Sequence, residues 1–163
     1  MSVATSSAGT SHSSRCISVT GVDAWLLTLI AKSTDGWIRD ALAPEELSVD
    51  QWRVLDYLAF GGPCPMSGLA SATTINGATL TRLVDHLVSR ALVYRDADST
   101  DRRRVLVHLS ERGRRKVREL RPKVLKAEAD ATAKLSSDER RQLNSLLRRM
   151  APQHSSMIER SPD

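Results

Sequence analysis

Two groups of residues have the types and spacing to recognise an anion. Arg102, Arg103 and Arg104 stand in a row just after Asp98 and Asp101. A guanidinium is a permanently charged, planar donor fork that fits phosphate oxygens and purine edges, so three together make a concentrated cationic tip. Upstream, Asn76, Thr79, Thr81, Arg82 and His86 lie along one amphipathic segment. Short amides and hydroxyls followed by a guanidinium can hydrogen-bond phosphates and base edges alike. Taken singly, each group has a blander explanation: Arg82 could pair with Asp85 along an exposed helix, for about 0.2–0.5 kcal/mol, and the arginine run could be solvated. The elements that carry the residues decide between these.

The positive charge is concentrated where those residues lie. The chain carries a formal net charge of +5, yet between Gly77 and Arg121 alone twelve Lys and Arg face six Asp and Glu. The remainder is close to neutral, so the anion-facing surface belongs to the middle third. The sequence contains no P-loop, G-x-S-x-G, H-E-x-x-H or G-x-G-x-x-G motif, which argues against an enzyme and a bound cofactor. His12, His86, His108 and His154 are scattered, so no metal site is expected. Cys16 and Cys64 form neither a C-x-x-C pair nor a disulfide framework. No apolar run approaches the length of a membrane span, and the start of the chain lacks the apolar core of a signal peptide, so a cytoplasmic protein is expected.

The positioning elements follow from periodicity and caps. Residues 1–20 are a Ser/Thr/Gly-rich tail with little to bury and read as disordered. Val22, Trp25, Leu26, Leu29, Ile30, Trp37 and Ala41 mark the apolar face of a first helix over residues 23–42. Ser48 and Gln51 form a capping box, with Leu47 and Trp52 as its hydrophobic staple, and open a helix over 49–60. Gly61, Gly62 and Pro63 end it, and a short helix over about 66–72 follows. Asn76 caps the next helix, over 77–90, whose Leu80, Leu83, Val84 and Leu87 repeat at i, i+3, i+4, i+7. Short helix, turn and amphipathic helix make a helix-turn-helix. Residues 92–96 and 104–109 read as a two-stranded hairpin with the arginines at its tip. Ser110 caps a long helix toward Lys134, with a heptad-like seam at Val117, Leu120, Val124, Ala127 and Ala131. Ser136 and Glu139 box a last helix to Met150, followed by a tail over 152–163.

Beyond this order of elements, particular residues carry a resemblance. Leu69-Ala70, Asn76, Thr79 to Leu87 and Leu92 to Arg95, then Asp98-Ser99-Thr100-Asp101-Arg102-Arg103, Val105 to Ser110 and Gly113, resemble the recognition helix and wing signature of the MarR family of bacterial winged-helix regulators. Ala91 departs from the pattern, standing where a glycine is usual. The resemblance implies a mainly α winged helix-turn-helix domain over residues 21–151, with a two-stranded β-wing and flanking N- and C-terminal dimerisation helices. Its DNA-binding lobe would span about 47–110 and its dimerisation helices 22–42 and 111–151.

It implies a homodimer that binds double-stranded DNA at a pseudo-palindromic operator, with half-sites about one turn apart, most often as a repressor. Arg103 would enter the minor groove, Asp101 would hold the hairpin, and Arg102 and Arg104 would touch flanking phosphates. Family members commonly release DNA on binding small aromatic compounds. Trp25, Trp37, Arg39, Trp52, Arg53 and Tyr57 are the candidate pocket residues here, although Trp25 and Trp52 read first as core. Some relatives sense oxidants, which makes Cys16 or Cys64 a redox alternative. A winged helix that coats DNA nonspecifically or binds protein is the other.

Overall fold

The computed structural model describes residues 23–98, 101 and 103–151. The two tails, Cys16, Ser99, Thr100 and Arg102 lie outside the described residues.

Helix α1 (Ala24–Leu42) starts where Asp23 Oδ1 accepts the N–H groups of Trp25 and Leu26, both at 3.0 Å. Of its apolar residues only Ile38 and Leu42 are buried. Trp25 is 71% exposed, and Leu26, Leu29, Ile30 and Trp37 are also exposed, so Trp25 does not occupy the core position expected of it. Periodicity marks an apolar face but cannot say which surface covers it.

A 3-10 turn over Ala43–Glu45 and a left-handed Glu46 (φ 52°) redirect the chain into α2 (Val49–Gly61). The expected capping box is present. Ser48 Oγ accepts from the Gln51 N–H at 3.1 Å, Gln51 Oε1 accepts from the Ser48 N–H at 3.0 Å, and the staple residues Leu47 and Trp52 are buried. Next come α3 (Met66–Thr73) and α4 (Gly77–Ser89), the two helices of the helix-turn-helix. Leu80, Val84 and Leu87 of α4 are fully buried against a core that includes Val54, Leu55 and Leu69.

The sheet has three strands where two were expected. Strand β1 (Cys64–Pro65) pairs with β3 (Val105–Leu109), which pairs with β2 (Val93–Ala97), all antiparallel, in the order β1-β3-β2. A two-residue strand ending in proline leaves no alternation to read, and proline brings no N–H to a ladder. Tyr94 lies opposite His108, and their rings stack at 4.9 Å. Val107 and Leu109 are buried but Val105 is half exposed, because the hairpin has by then left the body of the protein.

Ser110 joins the wing to α5 (Glu111–Ala131). Its N–H and hydroxyl reach the carbonyls of Leu92 and Ala91, and its Oγ accepts from the Gly113 N–H at 2.9 Å. Val117, Leu120, Val124 and Ala127 of the expected seam are buried. Helix α6 (Ser137–Met150) has its Ser136–Glu139 capping box but buries no residue.

Two tight points lie at the wing root. Ala91 has φ +54°, the left-handed conformation that explains why glycine is usual there. At Gly113, an added Cβ would stand 2.1 Å from the Leu92 carbonyl oxygen and 2.7 Å from Leu109 Cδ1. Backbone cannot yield to that contact as a flexible side chain would. Gly113→Ala should therefore destabilise the protein by about 2–3 kcal/mol, the upper part of the overpacking range, as measured by urea unfolding.

Candidate nucleic-acid interface

Helix α4 is held on both flanks by polar contacts that leave its outer face open. Toward the wing, Asp85 accepts from Arg95 of β2 at 2.7 Å, so the blander alternative, a pairing of Asp85 with Arg82 along the helix, does not occur. Toward α2, the buried Gln51 meets His86, with Nε2 to Nδ1 at 2.5 Å. At the C-terminal end, Arg90 donates to the carbonyls of Glu45 and Glu46, both at 2.9 Å. That corner also holds α5. Lys116 donates to the Glu45 carboxylate at 2.7 Å and to Glu119 at 3.1 Å; the hydrogen bond holds the Glu45 carboxyl below its ordinary pKa and the Lys116 ammonium above its own. Periodicity revealed none of the ties between elements, because each of those joins residues of separately folded segments.

The N-terminal residues of α4 are arranged as follows. Asn76 Oδ1 caps the helix by accepting from the Thr79 N–H at 2.9 Å, and the residue is exposed. Thr81 gives its hydroxyl proton to the Gly77 carbonyl at 2.9 Å, so toward any ligand it can only accept. Thr79 and Arg82 are exposed, and Arg82 has no ion pair or hydrogen bond among the described residues.

In the wing, Asp101 holds the turn: its carboxylate accepts from the Arg103 N–H at 3.0 Å and its carbonyl from the Arg104 N–H at 2.9 Å. Asp98 closes the hairpin by donating its N–H to the Arg104 carbonyl at 2.9 Å. Arg103 and Arg104 are exposed. Several cations of the middle third are thus matched within the chain, Arg90, Arg95, Lys116 and Arg121 among them, and the last pairs with Asp56 and covers the Phe60 ring at 3.8 Å. Among the described residues Arg82, Arg103 and Arg104 have no ion pair, and neither do Arg112, Arg115 and Arg118 of α5; of these exposed cations the first three are the ones carried by the helix-turn-helix and the wing.

The six candidate pocket residues do not converge within one chain. Trp52 is buried in the core, Arg53 pairs with Asp35 at 2.7 Å and Asp50 at 2.8 Å, and Tyr57 packs against the core. Trp25 and Arg39 are exposed on α1. Trp37 lines an open cleft of about 540 Å3 between α1 and α5, together with Asp40, Pro44, Lys123, Lys126 and Asp130. Among the described residues no cluster of His, Cys, Asp or Glu could hold a metal, and no helix is long and apolar enough to cross a membrane.

Three comparisons agree with this geometry. The model of the MarR family matches residues 46–104. The chain is 31% identical to the HTH-type transcriptional repressor NicR of Pseudomonas putida over 112 residues, 69% of this chain and 70% of that protein. Among solved structures it resembles a cysteine-to-serine mutant of Escherichia coli MarR complexed with operator DNA, at 26% identity and TM-score 0.71, covering 78% of this chain and 92% of the other. It also resembles Bordetella bronchiseptica BpsR, whose DNA binding is regulated by 6-hydroxynicotinic acid, at 28% identity and TM-score 0.73, covering 82% and 96%.

Cys64, the cysteine within the described residues, is 8% exposed with its thiol against the Tyr57 hydroxyl, and burial pushes its pKa up. A thiol so placed is a poor nucleophile at neutral pH. Peptide mass spectrometry after brief iodoacetamide treatment should find Cys64 largely unmodified in the folded protein and alkylated in urea.

Proposed function

The chain belongs to the MarR family of winged helix-turn-helix transcriptional regulators, and on that footing we propose that two copies bind a pseudo-palindromic operator as a cytoplasmic repressor that a small aromatic acid releases. It is a DNA-binding regulator and not an enzyme. The observation that carries the operator reading is the pairing of an unmatched Arg82 on the outer face of α4 with unmatched Arg103 and Arg104 on a wing whose turn Asp101 holds. A helix of this width enters a major groove, while a guanidinium on a narrow hairpin suits the electronegative minor groove beside it. Asn76, Thr79, Thr81 and His86 would supply the shorter contacts, and Arg102 a flanking phosphate.

The dimer reading is supported by the uncovered apolar faces. Trp25, Leu26, Leu29 and Ile30 on α1 and Leu143, Leu146, Leu147 and Met150 on α6 are all more than a third exposed in one chain. Covering such side chains stabilises an interface by roughly 1.5–3 kcal/mol for each one fully buried. Two-fold pairing would set the reading helices about one DNA turn apart.

The effector reading draws on the cleft beside Trp37, where an indole face and the Lys123 ammonium suit an aromatic acid. The acid that regulates the similar BpsR has that chemistry.

Operator recognition is tested by comparing binding to the intergenic duplex upstream of the chain's own gene with binding to random duplex, at two salt concentrations. Sequence readout leaves a large preference after the shared phosphate contribution is screened, whereas a nonspecific coat leaves none. Arg103→Ala should weaken operator binding while the protein still sediments as a dimer; normal affinity refutes the wing assignment. Arg82→Ala should cost about 1–3 kcal/mol at particular base pairs if the contact is bidentate to a base, and a uniform loss on every sequence identifies a phosphate contact instead.

For the effector, a panel of hydroxylated aromatic acids should include one that both raises the melting temperature and lowers operator affinity, because a ligand bound to the folded state stabilises it by mass action. Trp37→Ala should abolish both effects.

A further inference from the structure

Gln51 was read from the sequence only as half of a capping box, yet its side chain has two ends. Its Oε1 accepts from the Ser48 N–H at 3.0 Å. A backbone N–H can only donate, so the atom facing it must be the amide oxygen, and the other arm must be the NH2 group. That arm meets Nδ1 of His86 at 2.5 Å. An amide NH2 only donates, so Nδ1 must present its lone pair, and a neutral imidazole in that state carries its proton on Nε2. Helix capping thus dictates, through one rigid and almost fully buried amide, the tautomer of a histidine on the next helix but one.

We propose that Gln51 is a positioning residue for DNA recognition, fixing His86 as the Nε2–H tautomer so that α4 presents a neutral donor to an acceptor on the operator. The proposal rests on the reading of α4 as the recognition helix. His86 follows Arg82 by four residues and Thr79 by seven, so the three share one flank of the exposed face. Nε2 lies on the side of the ring away from Nδ1, and so away from Gln51. The acceptor it suits is a phosphate oxygen or an acceptor on a base edge such as guanine N7 or O6. Because the donor is preset, the neutral ring meets DNA without a choice between tautomers, and the surrounding guanidinium groups supply the charge.

The test uses the full-length protein and Gln51→Glu. Glutamate keeps the capping box, since one carboxylate oxygen still accepts from the Ser48 N–H, but it replaces the donor arm with an acceptor. Long-range proton–nitrogen NMR of the free protein, at a pH where the ring is neutral, should show His86 protonated on Nε2 in the wild type and on Nδ1 in Gln51→Glu. Operator affinity at that pH should fall roughly fivefold to tenfold, the worth of one hydrogen bond. His86→Ala should show a similar loss, and adding Gln51→Glu to it should cost nothing more. Dependence of the loss on operator sequence assigns the acceptor to a base, and independence assigns it to a phosphate.

A wild-type His86 that carries its proton on Nδ1, or that averages both tautomers, overturns the proposal. A Gln51→Glu penalty that persists in the His86→Ala background does so too, since it reports damage to α2 alone. Failure of the underlying reading looks different: there Arg82→Ala also leaves operator affinity intact, whatever the tautomer.

Discussion

The burial of one stripe of α4 governs the arrangement of the surface proposed to meet DNA. Leu80, Val84 and Leu87 are fully buried, and covering each stabilises the fold by roughly 1.5–3 kcal/mol. The exposed Arg95–Asp85 pair on the flank is worth at most about 1 kcal/mol. Apolar packing therefore decides how the helix is rotated about its axis, and the polar ties only refine its position. A register change of one residue would turn the helix by about 100°, driving polar side chains toward the core and withdrawing Arg82 from the surface. The free guanidinium and the buried leucines are two results of one constraint.

The corner between α1 and α2 extends that constraint to the rest of the chain. The Glu45 and Glu46 carbonyls receive Arg90 from the end of α4, and the Glu45 carboxylate receives Lys116 from α5. On the other side of the body, Ser110 and Gly113 seat the start of α5 directly on the Leu92 and Ala91 carbonyls at the root of the wing. Helix α4 and the wing, the two elements proposed to read DNA, are thus anchored to the same long helix, one through charge and one through close backbone approach. Movement of α5 relative to the lobe would load both anchors together, the close backbone approach at Gly113 first because the Lys116 side chain is flexible.

Local signals were legible in the sequence to the extent that one segment suffices to determine them. Both capping boxes, the Asn76 and Ser110 caps and the i, i+3, i+4, i+7 stripe of α4 are local rules, and the elements begin where those rules put them. The missed features are non-local or too short to leave a pattern. Strand β1 has two residues, the 3-10 turn has three, and the ties from Gln51 to His86 and from Asp85 to Arg95 depend on how separate elements dock. Charge counting pointed to the middle third as the expected anion-facing region but could not show that Arg90, Arg95 and Lys116 are occupied within the chain. Only the fold separates matched arginines from free ones.

The apolar face of α1 illustrates the same limit, and α6 sharpens it. Helix α6 has fourteen residues, well-formed caps and no buried side chain. Isolated helices of about 12–15 residues are marginal in water even with favourable sequences, and most helical stability in proteins comes from packing an amphipathic face. Among the described residues, nothing buries the Leu143, Leu146, Leu147 and Met150 stripe, and the Trp25 to Ile30 stretch of α1 is likewise left exposed. Capping contributes only about 1 kcal/mol per end, too little to hold α6 against fraying. A second apolar surface of matching length is therefore what these two helices need, and in the proposed dimer another copy of the chain would provide one in α1 and α6 themselves. In the proposed dimer, folding of the terminal helices and assembly would then be a single event, so the spacing of the two reading heads would be fixed by the same burial that makes α6 a stable helix.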